Sequence, residues 1–183
     1  MEKTLILLKP DAVQNRLVGE IIDRFEKANL KLIATKMVWP ERELAQKHYP
    51  TDRREFIEGM GKKTLEGYEE QGKDPKADFG TEDPHAIGLE LQKWLVDFLV
   101  SSPVIALVFE GPDAISKARK IAGHTIPVKA DPGTIRADYS NDSAVLANAE
   151  KRPVKNLVHA SGDKAEAEFE INLWFSEEEL HNY

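Results

Sequence analysis

The six residues Val104 to Phe109 are apolar without interruption, and such a run suits a strand in the middle of a sheet, covered on both faces. A second short run, Thr4 to Leu8, stops at Lys9-Pro10. It predicts a strand that delivers a lysine to the cleft at the sheet end. Leu30 to Trp39 is rich in β-formers and alternates Leu32, Ala34 and Lys36 with Ile33, Thr35 and Met37, which predicts a third strand. Asn156 to Ser161 supplies a fourth.

Helical periodicity fills the intervals. Glu20 to Asn29 sets Ile21, Ile22 and Phe25 on one face and Asp23, Arg24, Glu26 and Lys27 on the other. Pro40 opens a helix over Glu41 to Tyr49. Trp94, Leu95 and Phe98 share a face of Gln92 to Leu99. Asp113 is placed to cap Ala114 to Ala122, which Gly123 closes. The last helix is Lys164 to Leu173. His124 to Lys155 reads as connecting chain with one helical turn, Ala144 to Glu150. The order β, α, β, α, α, β, α, β, α holds two β-α-β halves. It predicts an α+β protein of ferredoxin-like split βαβ type: a four-stranded antiparallel sheet with covering helices on one face. A length of 183 residues fits one domain, 1–183. Two stretches interrupt the pattern and read as insertions: about Pro50 to Leu89, with a helix near Arg54 to Tyr68, and about Asn141 to Lys155.

Composition narrows the chemistry. Without a cysteine there is no disulfide framework, no thiol nucleophile and no sulfur-bound structural zinc. Twenty-five Lys+Arg against 32 Asp+Glu leave a net charge of −7 at pH 7, which argues against a dedicated nucleic-acid binder. The apolar start, Leu5 to Leu8, is too short for a signal-peptide core or a membrane span, so the expected compartment is the cytoplasm.

Several motifs can be set aside. Gly61-Lys62-Lys63-Thr64 resembles the end of a phosphate-binding loop. Phe56 stands where that loop needs its first glycine, however, and Lys63 stands where it needs Ser or Thr. There is no GxGxxG, and the five histidines show no HExxH spacing. His159 differs from the others because it sits in a short apolar strand between Asn156 and Ser161. It reads either as a core histidine satisfied by Ser161 or as a nucleophile available near neutral pH. A Pro132-Gly133 turn displays Thr134 and Arg136 in a long connection, and Arg119 and Thr125 lie just upstream. Arginine forks and hydroxyls match phosphate oxygens.

Together these segments resemble the nucleoside diphosphate kinases. Thr4-Leu5-Ile6-Leu7-Leu8-Lys9-Pro10-Asp11-Ala12-Val13 is similar to that family's opening strand, and Leu17-Val18-Gly19-Glu20-Ile21-Ile22 to its first helix. Pro132-Gly133-Thr134-Ile135-Arg136-Ala137-Asp138 resembles its PGTIRGD segment, with Ala137 in place of glycine. Asn156-Leu157-Val158-His159-Ala160-Ser161 resembles NxxHxSD, with the aspartate displaced because Gly162 precedes Asp163. Trp174 to Leu180 resembles WFxxEEL.

The resemblance implies transfer of the γ-phosphoryl of a nucleoside triphosphate such as ATP to a nucleoside diphosphate, by a ping-pong route through phosphorylated His159. Mg²⁺ would be bound mainly through the nucleotide phosphates, with no protein metal site. By the same resemblance, Lys9, Arg119, Thr125 and Arg136 surround the phosphates, Asn156 contacts the sugar and Tyr49 lies near the histidine. Ser161 and Glu170 would hold the imidazole. A homo-oligomer is implied, with a hexamer favoured over a tetramer or dimer. The base-stacking aromatic of the family falls on Leu91 here, which leaves Phe56, Phe79 and Trp94 as alternatives. The competing reading is a non-catalytic nucleotide-binding or regulatory protein that retains the pocket.

Overall fold

Strand β1 (Glu2–Leu8) lies inside a four-stranded sheet of order β2-β3-β1-β4 in the computed structural model, which describes residues 1–183. Every pairing is antiparallel. β3 (Val104–Gly111) runs the full length of β1, from Glu2 opposite Gly111 to Leu8 opposite Ile105, and on its other side meets β2 (Lys31–Val38). β4 (Val158–Ala160) is three residues long and pairs with Ile6 to Leu8. The short strand is enough to seat His159 opposite Leu7.

Alternation along β1 and β3 builds two cores. Ile6, Leu8, Leu107 and Phe109 face α2 (Val18–Lys27) and α7 (Ala114–Ala122), where Ile21, Phe25 and Ala118 meet them. The rings of Phe25 and Phe109 lie 5.1 Å apart. Leu5, Leu7, Ala106 and Val108 face the opposite way, onto Ala45 of α3 (Arg42–His48), Val96 and Leu99 of α6 (Pro84–Leu99), and Ile171 and Trp174 of α10 (Lys164–Trp174). The helices therefore cover both faces, and the expectation of one covered face is corrected. The continuous apolar run of β3 already required two cores, because each of its faces needs an apolar partner. Burying a large apolar side chain this way is worth about 1.5–3 kcal/mol.

Three further expectations change. α6 starts at Pro84, not Gln92: Asp83 Oδ2 accepts the Ala86 N–H at 2.9 Å and Pro84 takes the first helical position. Asp113 does not cap α7. Its backbone is left-handed, φ 52°, and Glu2 Oε2 accepts the Ile115 N–H at 2.9 Å instead. The 124–155 connection also holds α8 (Ile135–Tyr139), started by Thr134, besides α9 (Ala144–Ala149).

The long helix α4 (Arg54–Glu70) packs antiparallel to α6 with backbones nearly touching. A Cβ at Gly61 would lie 1.8 Å from the Pro84 carbonyl oxygen, and one at Gly88 would lie 2.0 Å from that of Ile57. Only glycine fits there. After the one-turn α5 (Lys76–Phe79), Phe79 stacks on Trp94 at 5.6 Å and the Tyr68 hydroxyl donates a hydrogen bond to Asp78 Oδ2. α9 rests on α4, so the two stretches read as insertions touch each other.

Candidate active site

The turn from β1 into α1 (Pro10–Gln14) sets the site. The Lys9 N–H donates to the Leu157 carbonyl at 2.8 Å, and the Leu157 N–H donates to Asp11 Oδ2 at 2.9 Å. Leu157 has φ 69°, a left-handed conformation that a branched side chain adopts only when its surroundings impose it. Asp11, to which the sequence reading gave no role, thus fixes the backbone two residues before His159. Its signal was its place in the matched Lys9-Pro10-Asp11 segment.

His159 projects from β4 toward α10. Its Nε2 lies 2.7 Å from Glu170 Oε1, in close contact but outside hydrogen-bond alignment, and its side chain is 20% exposed against 2% for Glu170. The other Glu170 oxygen accepts the Ser161 Oγ proton at 2.6 Å. Burial pushes the Glu170 carboxyl up, but His159 and the Ser161 hydroxyl outweigh it and leave it below the usual carboxylate range. Ser161 therefore reaches the imidazole through Glu170. It is anchored in turn by the Leu5 N–H at 3.2 Å.

His48, the last residue of α3, was not singled out among the five histidines. Its ring stands nearly perpendicular to that of His159, with centroids 4.6 Å apart. Nδ1 accepts the Trp174 Nε1–H at 3.4 Å and lies 3.6 Å from Glu170 Oε1, while Nε2 is buried with no partner. Burial and the neighbouring His159 push His48 down to about 3, against the pull of Glu170. Tyr49 follows it, buried, with ring centroids 4.6 Å apart, and burial raises its phenol well above the usual value.

The cationic side is equally ordered. Lys9 Nζ donates to Asn156 Oδ1, and Asn156 Nδ2 donates to the Thr125 carbonyl at 2.6 Å. Burial lowers Lys9 to about 8, opposed by Asp11. Arg136 spends Nε, Nη1 and Nη2 on the carbonyls of Asn156, Gly123 and Val158 at 3.2, 2.8 and 2.7 Å. Burial and the nearby Arg119 charge bring it down to about 10. Arg119 is exposed beside Gly162, where a built Cβ would come 3.7 Å from its Nη1. Thr125 is exposed in the loop after α7. The displaced Asp163 caps α10 by accepting the Glu166 N–H at 2.9 Å. Among the stacking candidates, Phe79 and Trp94 occupy each other and Phe56 packs against the second core, while Leu91 is half-buried.

A histidine backed by a buried carboxylate, with two arginines and a lysine carried by the surrounding elements, defines a phosphoryl-transfer protein. The comparisons with known proteins agree. The family model described as nucleoside diphosphate kinase matches residues 2–67 and 88–180. A nucleoside diphosphate kinase of Pyrobaculum aerophilum is 49% identical over 180 residues, which span 98% of each chain. One from Pyrococcus furiosus is 39% identical over 183 residues, covering 100% of this chain and 88% of that one. The crystal structure of the Pyrobaculum aerophilum NDP kinase superposes with a TM-score of 0.95 at 48% identity, over 99% of both chains. A Borrelia burgdorferi nucleoside-diphosphate kinase, solved as a transition-state mimic with vanadate and ADP, gives 0.79 at 34% identity, over 100% of this chain and 91% of that one.

The chain belongs to the nucleoside diphosphate kinase family. It is a nucleotide-binding phosphotransferase, and no helix in it is long and apolar enough to cross a membrane.

Proposed function

We propose that the protein transfers the γ-phosphoryl of a nucleoside triphosphate to a nucleoside diphosphate through phosphorylated His159. The observation that carries this reading is the contact of His159 Nε2 with a buried, ionised Glu170. With Nε2 turned inward and protonated, Nδ1 holds the free lone pair. Nδ1 attacks the γ-phosphorus, the bond to the β-phosphate oxygen breaks, and the diphosphate leaves with that electron pair. The acceptor diphosphate then attacks the phosphohistidine with a terminal oxygen and restores the neutral ring. Glu170 compensates the positive charge that gathers on the imidazole during transfer, and Ser161 keeps Glu170 ionised.

Lys9, Arg119, Thr125 and Arg136 bind the phosphates, Asn156 presents Lys9 and contacts the sugar, and Tyr49 borders the histidine. Arg136 needs no rearrangement to serve, since three of its five N–H groups fix it and two stay free. The only cluster of three metal-ligating groups is His48, His159 and Glu170. It is nitrogen-rich and includes the nucleophile itself, which suits a hard cation poorly. Mg²⁺ would therefore be held mainly through the nucleotide phosphates, where it would supply charge neutralisation. We read residues 1–183 as one domain that assembles as a homo-oligomer, with a hexamer favoured. Met37 on the edge strand β2 and Trp39 just after it, 61% and 64% exposed, support burial against a second copy. The cysteine-free composition supports a cytoplasmic setting.

Labelled ATP with Mg²⁺ should give an acid-labile, base-stable phosphoprotein in the wild type and none in His159→Ala. Equal labelling of both proteins would sink the assignment.

A further inference from the structure

We infer that His48 is a positioning residue for phosphoryl transfer: it walls the His159 ring into the one orientation that leaves Nε2 on Glu170 and Nδ1 open. The inference rests on the reading of His159 as nucleophile and extends it to a residue that touches no substrate.

Three geometric facts support it. The His48 ring packs at 84° to the His159 ring, 4.6 Å between centroids, so the nucleophile cannot swing about its side-chain torsions without displacing His48. His48 itself cannot move easily, because it is fully buried between Trp174 at 5.7 Å and Tyr49 at 4.6 Å. Its tautomer is also set: an indole N–H only donates, so the Nδ1 that it contacts carries a lone pair and the proton is on Nε2.

The tautomer matters because His48 Nδ1 is 3.6 Å from Glu170 Oε1, the same oxygen that meets His159 Nε2 at 2.7 Å. A proton on His48 Nδ1 would compete with His159 for that oxygen and loosen the nucleophile. Trp174 blocks this by occupying the lone pair. The groups facing His48 are Glu170 from α10, His159 from β4, Lys9 from the end of β1, and the uncharged Tyr49 beside it. Only Glu170 favours a charged His48, while burial, His159 and Lys9 all oppose it. The wall stays neutral across the working pH range, and Glu170 serves one histidine.

Single-turnover phosphorylation by labelled ATP, measured against ATP concentration and pH, tests the inference on the intact chain. Misorientation of a reacting group costs tenfold or more. His48→Ala should therefore slow phosphoenzyme formation at saturating ATP at least about tenfold, with half-saturating ATP unchanged. His48→Phe keeps the perpendicular ring and should recover most of the rate. Trp174→Phe frees the Nδ1 lone pair and should move the acid limb of the rate to higher pH. The double variant His48→Phe/Trp174→Phe should lose that shift. A merely structural His48 would change folding stability without moving a pH limb. A folded His48→Ala protein that labels at the wild-type rate overturns the inference, as does a Trp174→Phe limb that does not move. Failure of the wild type to label at all removes the nucleophile reading, and this inference with it.

Discussion

Asp11 and Leu157 are 146 residues apart in sequence and joined by one hydrogen bond of 2.9 Å, from a backbone N–H to a buried carboxylate. That bond holds a left-handed leucine, φ 69°, immediately before the strand that carries His159. It converts a position in the first helical turn after β1 into a constraint on His159.

Asp11→Ala should therefore cost about 1–3 kcal/mol, the penalty of a buried donor left unsatisfied. Asp11→Asn keeps an acceptor and should cost less. Chemical denaturation of the three proteins checks the order. Because Asp11 also holds the Lys9 ammonium up, both variants should lose activity at lower pH on the basic side.

Lys9 gives opposite pH signs for activity and stability. It releases its proton near 8 in the folded protein, against 10.5 for an ordinary lysine. kcat/KM should fall as pH rises through about 8, since the phosphates lose one of their cations. Between that value and 10.5 the unfolded chain binds more protons than the folded one, so this group makes folding more favourable as pH rises. Parallel profiles of kcat/KM and of denaturation midpoint should diverge there. A flat kcat/KM from pH 7 to 9 would refute the assignment.

Removing the Ser161 hydroxyl takes a proton donor from Glu170 at 2.6 Å. In Ser161→Ala the Glu170 carboxyl should rise, the acid limb of kcat/KM should shift upward, and turnover should fall by about tenfold, as expected for the loss of a charge-assisted hydrogen bond. The folded-state value of Glu170 is depressed, so its contribution to stability is present above the unfolded carboxylate range. It is lost as pH falls through the folded value, and Ser161→Ala should bring that loss to higher pH.

The α4–α6 contact separates two glycines of similar sequence context. Gly88→Ala forces a methyl to within 2.0 Å of the Ile57 carbonyl and should destabilise by about 1–3 kcal/mol. Gly59→Ala, facing open space on α4, should be neutral or stabilising by about 0.5–1 kcal/mol. Thermal unfolding should move Tm in opposite directions.

The sheet was largely legible because apolar runs and alternation report burial directly: each strand overlaps its expected run, although β1 starts earlier, at Glu2, and only Val158–Ala160 of the run from Asn156 to Ser161 pairs as a strand. The start of α6 was hidden because Gly88 weakens its helical pattern, and the carbonyl that demands that glycine belongs to another helix. Capping of α7 was misread for a related reason, since the donor's partner, Glu2, is 113 residues away. In the candidate site, Lys9, Arg136 and His159 stand out by their chemistry and setting, whereas Glu170, one of several glutamates on its helix, is singled out only by the family resemblance. His48 and Asp11 act through neighbours distant in sequence, and only the fold brings those neighbours to them.

The pairing of β1 with β3 and β4 also sets an order in time. Leu5 meets Ser161 across 156 residues, so the first strand made is among the last to find its edges. During synthesis β1 leaves the ribosome as an apolar ribbon with both edges bare, and contacts of such long range slow folding. No fragment that ends before β4 holds a functional pocket. Until then the Asn156 and Val158 carbonyls that fix Arg136 are missing, so ligand stabilises the protein fully only after its fold is closed.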